Sequence, residues 1–231
     1  MKCISTNKLK FIALISMTLD HIGAVLLPQN LFITTILKIF GRIAMPIFCY
    51  LIVIGLFNTR NCVKYLARLL LFAIISEIPF NLCFGSSIIY VRKQNVFFSL
   101  FIGLLVIFLI EKDKMYFLSE NPFISNIIEY LLLIIGCVTA YYIKCDYTYF
   151  GIVMIYLFYT LRFYGILSIV SQIIINVIFM GGIQGFASFA LIPICMYNGE
   201  KGSESQLLKW LFYTYYPVHL TILYLIKIII M

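Results

Sequence analysis

The stretch FIALISMTLDHIGAVLL, Phe11 to Leu27, decides the class of fold. A bilayer-crossing helix needs roughly 20 predominantly apolar residues, and this run approaches that length while carrying Asp20 and His21 in its middle. Lys2, Lys8 and Lys10 precede it, which gives it the outline of a signal peptide. No small-residue cleavage site follows and two ionisable residues interrupt it, so the stretch is expected to stay as a first span.

The composition outside that run agrees. Of 231 residues 63% are hydrophobic and 11% charged, whereas soluble domains carry about 25% charged residues. Further apolar segments fall near 31 to 57, 65 to 84, 95 to 111, 124 to 143, 147 to 161, 165 to 180, 183 to 198 and 210 to 230. Asp146 and Arg162 bracket a segment barely long enough to cross, which leaves eight or nine spans open. The expected fold is all-α: a polytopic integral membrane bundle of 8–9 transmembrane helices, one domain over residues 1–231.

A net charge of +8 raises the question of nucleic acid. A phosphate-binding stripe would gather Lys and Arg on one solvated face, but here they are scattered among loop-sized gaps, so no nucleic-acid partner is expected. Nine spans with a cytoplasmic N-terminus put most of the 17 Lys and Arg on the inside, including Arg60, Lys64, Arg68, Lys112, Lys114, Arg162, Lys201 and Lys209. Arg92, Lys93, Lys144 and Lys227 fall outside. This bias follows the enrichment of cytoplasmic loops in basic residues. The longest polar loops, 111 to 123 and 199 to 209, then face the cytoplasm. A multi-pass protein of a bacterial-type plasma membrane results, with the lipid bilayer as its first partner.

The seven cysteines form no CxxC pair and no Cys/His ligand spacing, so no metal is expected. Most read as small hydrophobes. Cys83 and Cys145 both fall near the outer surface, where a disulfide is chemically permitted if distance allows.

Ionisable residues inside apolar segments carry the functional argument, because a charge at the bilayer centre costs about 2.5–3.5 kcal/mol on insertion scales and must face a polar interior. Asp20 and His21 lie in the first span, Arg42 in the second, Glu77 in the third and His219 in the last. Ala13, Ser16, Asp20 and Gly23 share one small, polar helix face, and His21 is turned about 100° from Asp20. Proline removes the helical bond to the carbonyl four residues back, so Pro46, Pro79 and Pro217 free the carbonyls of Arg42, Ile75 and Tyr213 beside these ionisable residues, which points to a common site. Asp20, Arg42 and Glu77 could also be a buried ion-pair network that only joins helices, and the histidines could be helix-packing groups. Two histidines with nearby carboxylates favour proton handling near neutral pH. Arg60, Lys64 and Arg68 form an inner basic cluster suited to topology signalling or to a phosphate-rich donor.

Five stretches together resemble the TraX family of membrane proteins, named after a conjugation-system protein that acetylates the N-terminus of pilin. They are KLKFIALISMTLDHIG (Lys8 to Gly23), FGRIAMPIFCYLIVIGLFNTRNCVKYLARLLLFAIISEIPFNL (Phe40 to Leu82), NVFFSLFIGLL (Asn95 to Leu105), DYTYFGI (Asp146 to Ile152) and WLFYTYYPVHL (Trp210 to Leu220). The resemblance covers nearly the whole chain, with one departure: a glycine is expected after Asp146-Tyr147, where this chain has Thr148. It implies an acyltransferase moving acetyl from acetyl-CoA, or another acyl-CoA, to an amine or hydroxyl of an acceptor such as a peptide N-terminus, a glycan or a small amine. Asp20, His21, Arg42, Glu77, Asn95, Asp146 and His219 occupy the family's motif positions. His21 is then the preferred general base, with Asp20 and Arg42 holding the site, Glu77 relaying protons and His219 as second candidate base or thioester-oxygen donor. Arg60, Lys64 and Arg68 are expected at the acyl-CoA phosphates, and Asn95, Asp146 and Tyr216 at the substrate. The rival reading is a proton-coupled transporter or channel, for which buried carboxylates and histidines are equally natural.

Overall fold

Backbone N–H and C=O groups shielded from water need partners within the chain, and a sequence this apolar meets that need with helices. A computed structural model describes residues 2–116, 121–202 and 205–230. Among the described residues there is no β-strand, only isolated bridges between Ile4 and Tyr197 and between Gln94 and Cys145.

The helices are α1 (Thr6–Val25), α2 (Phe32–Gly41), α3 (Ala44–Asn58), α4 (Cys62–Gly85), α5 (Val96–Tyr116), α6 (Pro122–Ile143), α7 (Thr148–Thr160) and α8 (Gly165–Ile173). α8 continues as a π-helical stretch, Ile174–Met180, and a 3₁₀ stretch, Gly182–Ala190, leads into α9 (Leu191–Cys195) before α10 (Gln206–Ile230). The polar punctuation acts locally as its chemistry requires. The Asn61 side chain accepts a bond from the Lys64 N–H at 2.9 Å and opens α4, and Asn121 followed by Pro122 opens α6.

Among the described residues, four segments are long and apolar enough to cross a membrane: Phe32–Asn58, Cys62–Gly85, Pro122–Ile143 and Gln206–Ile230. α1 and α5, at 20 and 21 residues, are nearly as long but carry Lys8, Lys10 and Asp20, and Glu111, Lys112 and Asp113, respectively. Several helices outrun the hydropathic segments. α5 continues to Tyr116 rather than ending near 111, because its charged end is paired: the Ser125 hydroxyl donates to Asp113 at 2.7 Å, and Lys114 meets Glu129 at 2.8 Å. α10 likewise begins at Gln206 rather than 210. Both expected polar loops are thus shorter than hydropathy indicates, and their residues 117–120 and 203–204 lie outside the described residues.

The second apolar segment is interrupted where Pro46 frees the Arg42 carbonyl. The interruption falls at Arg42 and Ile43, between α2 and α3, where both residues keep right-handed helical φ and ψ and where Pro46 has no N–H to offer the Arg42 carbonyl. Gly41 makes the break possible. A β-carbon there would lie 2.3 Å from Asp20 Cβ, so only glycine lets α2 end against α1 at this point. Pro79 and Pro217 do lie inside α4 and α10.

α3, α5 and α7 pack together at the centre of the bundle, burying Ile47, Cys49, Leu104, Ile107, Met154, Ile155 and Tyr159 completely. α1 packs on α2, α3 and α10, and α10 closes against α4. The outer faces are apolar, as with Ile74, Ile75 and Ile78 on α4 and Leu131, Ile134 and Ile135 on α6. Faces of this kind suit lipid rather than water. All seven cysteines are free thiols, so Cys83 and Cys145 form no disulfide. Burial pushes the Cys145 thiol up to about 11, which keeps it protonated and unreactive at neutral pH.

Candidate functional site

Helical spacing separates Asp20 from His21, and the two side chains take different partners. Asp20 pairs with Arg42 at the α2–α3 break, while Ser16, one turn earlier, donates to the Phe40 carbonyl and anchors the end of α2 on α1. His21 points instead to α10, where its Nδ1 meets His219 Nε2 at 2.7 Å. The two rings lie 1° from coplanar with centroids 5.0 Å apart, so the bond runs in the plane of both.

The proton positions in this pair follow from its neighbours. His219 Nδ1 lies 2.9 Å from the Tyr215 carbonyl, and a carbonyl only accepts, so His219 carries its proton on Nδ1. In the neutral pair His219 Nε2 is then an acceptor, His21 Nδ1–H is the donor, and the remaining lone pair is on His21 Nε2. His21 Nε2 has no hydrogen-bond partner among the described residues. Aromatic rings hold the pair in place. Tyr215 stacks on His219 at 5.1 Å, Tyr216 meets both imidazoles edge-on, and Phe84 packs on His21 at 5.6 Å. Thr18 donates to the Leu14 carbonyl and accepts from the Tyr215 hydroxyl at 2.7 Å, which ties α10 to α1.

Asp20, His21, Asp146, Tyr147 and Tyr216 line one small cavity of about 30 Å³, together with Gly41, Ala44, Met45 and Val96. Buried and half-buried polar groups therefore converge in an apolar bundle around a space large enough for about one water. Asp146 is paired with Lys93 of the 86–95 connection, and the Gln94 N–H donates to the Lys144 carbonyl at 2.9 Å beside it. The turn after Asp146 explains the missing glycine: Thr148 has φ +46°, a left-handed conformation that glycine adopts freely and a β-branched residue does not.

Glu77 does not join this cavity. Asn95 Nδ2 donates to Glu77 Oε2 at 2.5 Å and to the Ala73 carbonyl at 2.8 Å, so Glu77 and Asn95 tie α4 to the start of α5 and line no part of the space beside His21. The common site expected for Arg42, Glu77 and His219 thus divides, because Glu77 faces α5 whereas the His21–His219 bond joins α1 to α10. Arg60 and Lys64 are exposed at the start of α4, and Arg68 lies between the Tyr65 and Tyr213 rings at 6.0 and 5.8 Å. Sixteen residues of α4 separate Arg68 from Phe84, about 24 Å at 1.5 Å per residue, so the basic cluster and the histidine pair lie towards opposite ends.

Sequence reasoning missed Tyr215, Tyr147, Lys93 and Glu129. Glu129 lies within an apolar segment and could have been flagged as an intramembrane charge; it is buried, accepts from the Tyr156 hydroxyl at 2.9 Å and pairs with Lys114. Tyr215 and Lys93 carried no signal, since a tyrosine among many and a loop lysine become distinctive only through what they touch. Among the described residues no group of three or more His, Cys, Asp and Glu side chains converges as a metal site.

Comparison with known proteins gives the family. The family model described as TraX protein matches residues 5–227. The chain belongs to the TraX family. Among curated relatives, this chain is 27% identical over 242 residues to the probable fimbrial assembly protein FimC, serogroup H1, of Dichelobacter nodosus, covering 95% of this chain and 94% of that one. It is also 33% identical over 95 residues to the uncharacterized protein RP591 of Rickettsia prowazekii (strain Madrid E), covering 41% of this chain and 33% of that one. No solved structure matches.

Proposed function

We propose that this TraX-family chain is a membrane-embedded acyltransferase that moves acetyl from acetyl-CoA, or another acyl from its CoA thioester, to an amine or hydroxyl of a membrane-associated or extracytoplasmic acceptor. The observation that carries the reading is the His21–His219 pair, whose neutral form leaves a lone pair on His21 Nε2, in a residue that lines the cavity. A lone pair there takes the acceptor's proton as its nitrogen or oxygen attacks the thioester carbonyl, and the carbon–sulfur bond then breaks to release CoA. His219 acts through His21: it accepts the Nδ1–H bond, fixes the tautomer and steadies the imidazolium, the part a carboxylate plays in a hydrolase triad. Asp20 and Arg42 brace the cavity wall, and Asp146 and Tyr216 meet the acceptor. Glu77 and Asn95 hold α4 to α5 and so position the α5 end of that wall.

Arg60, Lys64 and Arg68 receive the CoA phosphates in this reading. A CoA thioester carries its phosphates at one end of a long arm and its acyl group at the other, which suits a basic cluster remote from the base. The reading also takes the helical segments as nine crossings of a plasma membrane, with the N-terminus cytoplasmic and the C-terminus outside, since that arrangement keeps most Lys and Arg inside. A relative bearing the name of a fimbrial assembly protein supports an acceptor of the pilin kind.

The deciding experiment incubates purified protein in nanodiscs with acetyl-CoA and follows thiol release with and without candidate amine and hydroxyl acceptors. Acceptor-dependent thiol release that His21→Gln abolishes supports the enzyme. Proton-coupled solute uptake in proteoliposomes with no CoA turnover overturns it in favour of transport.

A further inference from the structure

Two carboxylates line the cavity, and their partners differ in kind. Asp20 is held by Arg42, whose side chain is 26% exposed and built into the α2–α3 break. Asp146 is held by Lys93, whose side chain is 49% exposed and reaches in from the 86–95 connection. That connection is fixed without the ion pair, by the Gln94 N–H bond to the Lys144 carbonyl, the Asn81 side-chain bond to the Ile88 carbonyl at 2.9 Å and Tyr90 packed on Gly85. The Lys93 ammonium sits on a flexible four-carbon stem, and an ion pair this exposed holds weakly. One cavity carboxylate therefore has a built-in partner and the other an exchangeable one. On the same cavity, His21 is nine-tenths buried and its Nε2 has no partner among the described residues.

We propose that Asp146 is the docking point for a primary ammonium group of the acceptor, and that Lys93 is an internal stand-in which the acceptor displaces. This rests on the reading of the cavity as the acceptor site. It assigns Lys93 a role as competitor: its ammonium offers Asp146 the same charge and hydrogen-bond donors as the incoming group, keeps the carboxylate paired while the cavity waits, and swings into water when the acceptor enters. The Asp20–Arg42 pair, more enclosed, stays closed throughout.

The test measures binding to the full-length protein in nanodiscs, with no acyl donor present. The probes are trialanine amide, which carries an ammonium, and its N-acetylated form, which does not. Lys93→Met is expected to bind the free-amine probe about fivefold more tightly than wild type, the factor that corresponds to removing one weak exposed pair, with no gain for the acetylated probe. Lys93→Arg keeps the cation and should bind like wild type, and Asp146→Asn should lose the preference for the free amine. Unchanged or weaker binding of the free amine by Lys93→Met, or an equal gain for both probes, overturns the proposal. Because no thioester takes part, these affinities with no acyl transfer would remove the acyltransferase reading alone, and intact transfer without the charge preference would remove the docking alone.

Discussion

His219→Gln compared with His21→Gln probes the proton relay most directly. The 2.7 Å bond from His21 Nδ1–H to His219 Nε2 is neutral before proton abstraction and charge-assisted after it, when His21 becomes imidazolium. A neutral hydrogen bond contributes about 0.5–1.5 kcal/mol and one involving a charged group about 1.5–3 kcal/mol, so the bond strengthens by about 1–1.5 kcal/mol as the base works. That difference amounts to about tenfold in rate. His219→Leu forfeits it and also lets the His21 proton move to Nε2, the wrong nitrogen, so kcat should fall by about 10- to 100-fold. His219→Gln still offers a carbonyl oxygen to His21 Nδ1–H and should retain kcat within about tenfold of wild type. His21→Gln removes the base itself and should cut kcat by about 10² to 10⁴. Thiol release from acetyl-CoA by protein in nanodiscs, with thermal unfolding recorded for each variant, measures the series. A folded His219→Gln as inactive as His21→Gln would refute the assignment and move the base to α10.

Four other outcomes follow from the geometry. Gly41→Ala places a methyl 2.3 Å from the Asp20 Cβ, and forced overpacking of this kind destabilises by about 1–3 kcal/mol; an unchanged melting temperature in detergent would show that α2 and α1 can part there freely. Thr148→Gly relieves the φ +46° conformation and should raise stability by about 1 kcal/mol, in the range of residues held in such regions, whereas a loss on denaturant titration would mean the threonine is held without strain. Asp20→Ala leaves Arg42 without its partner and should lower stability by about 2–3 kcal/mol, below the 3–5 kcal/mol of a fully buried pair because both groups are partly exposed; Asp20→Ala with Arg42→Met should recover part of that, and no recovery argues against the pairing. Neutralising Arg60, Lys64 and Arg68 together should raise the donor KM with kcat nearly unchanged, as loss of a remote contact does, and an unaltered KM returns the cluster to topology alone.

Hydropathy and charge, read along the chain, already determine that it is helical and apolar-faced and where its helical segments fall, because lipid-exposed backbone must bond within its own segment and side chains must match their solvent. They also single out Asp20, His21, Arg42, Glu77 and His219, since an ionisable residue in an apolar run is costly wherever the helix ends up. Helical periodicity further separates Asp20 from His21 by about 100°, and the two do turn to different partners.

Which partners they meet was decided only in three dimensions. The bond between His21 and His219 spans 198 positions of sequence, and no local pattern encodes a contact made by packing α1 on α10. The same holds for Glu77, grouped with the histidines by its neighbouring proline yet turned to Asn95, and for Lys93, read in the sequence only as an outer loop charge, which reaches Asp146. The end of α5 moved outward because Asp113 and Lys114 found partners on α6. Hydropathy scores each residue against solvent, one at a time. Ion pairs, tautomers and cavity walls depend on pairs of residues brought together by the packing of whole helices, and that information exists only once the helices have met.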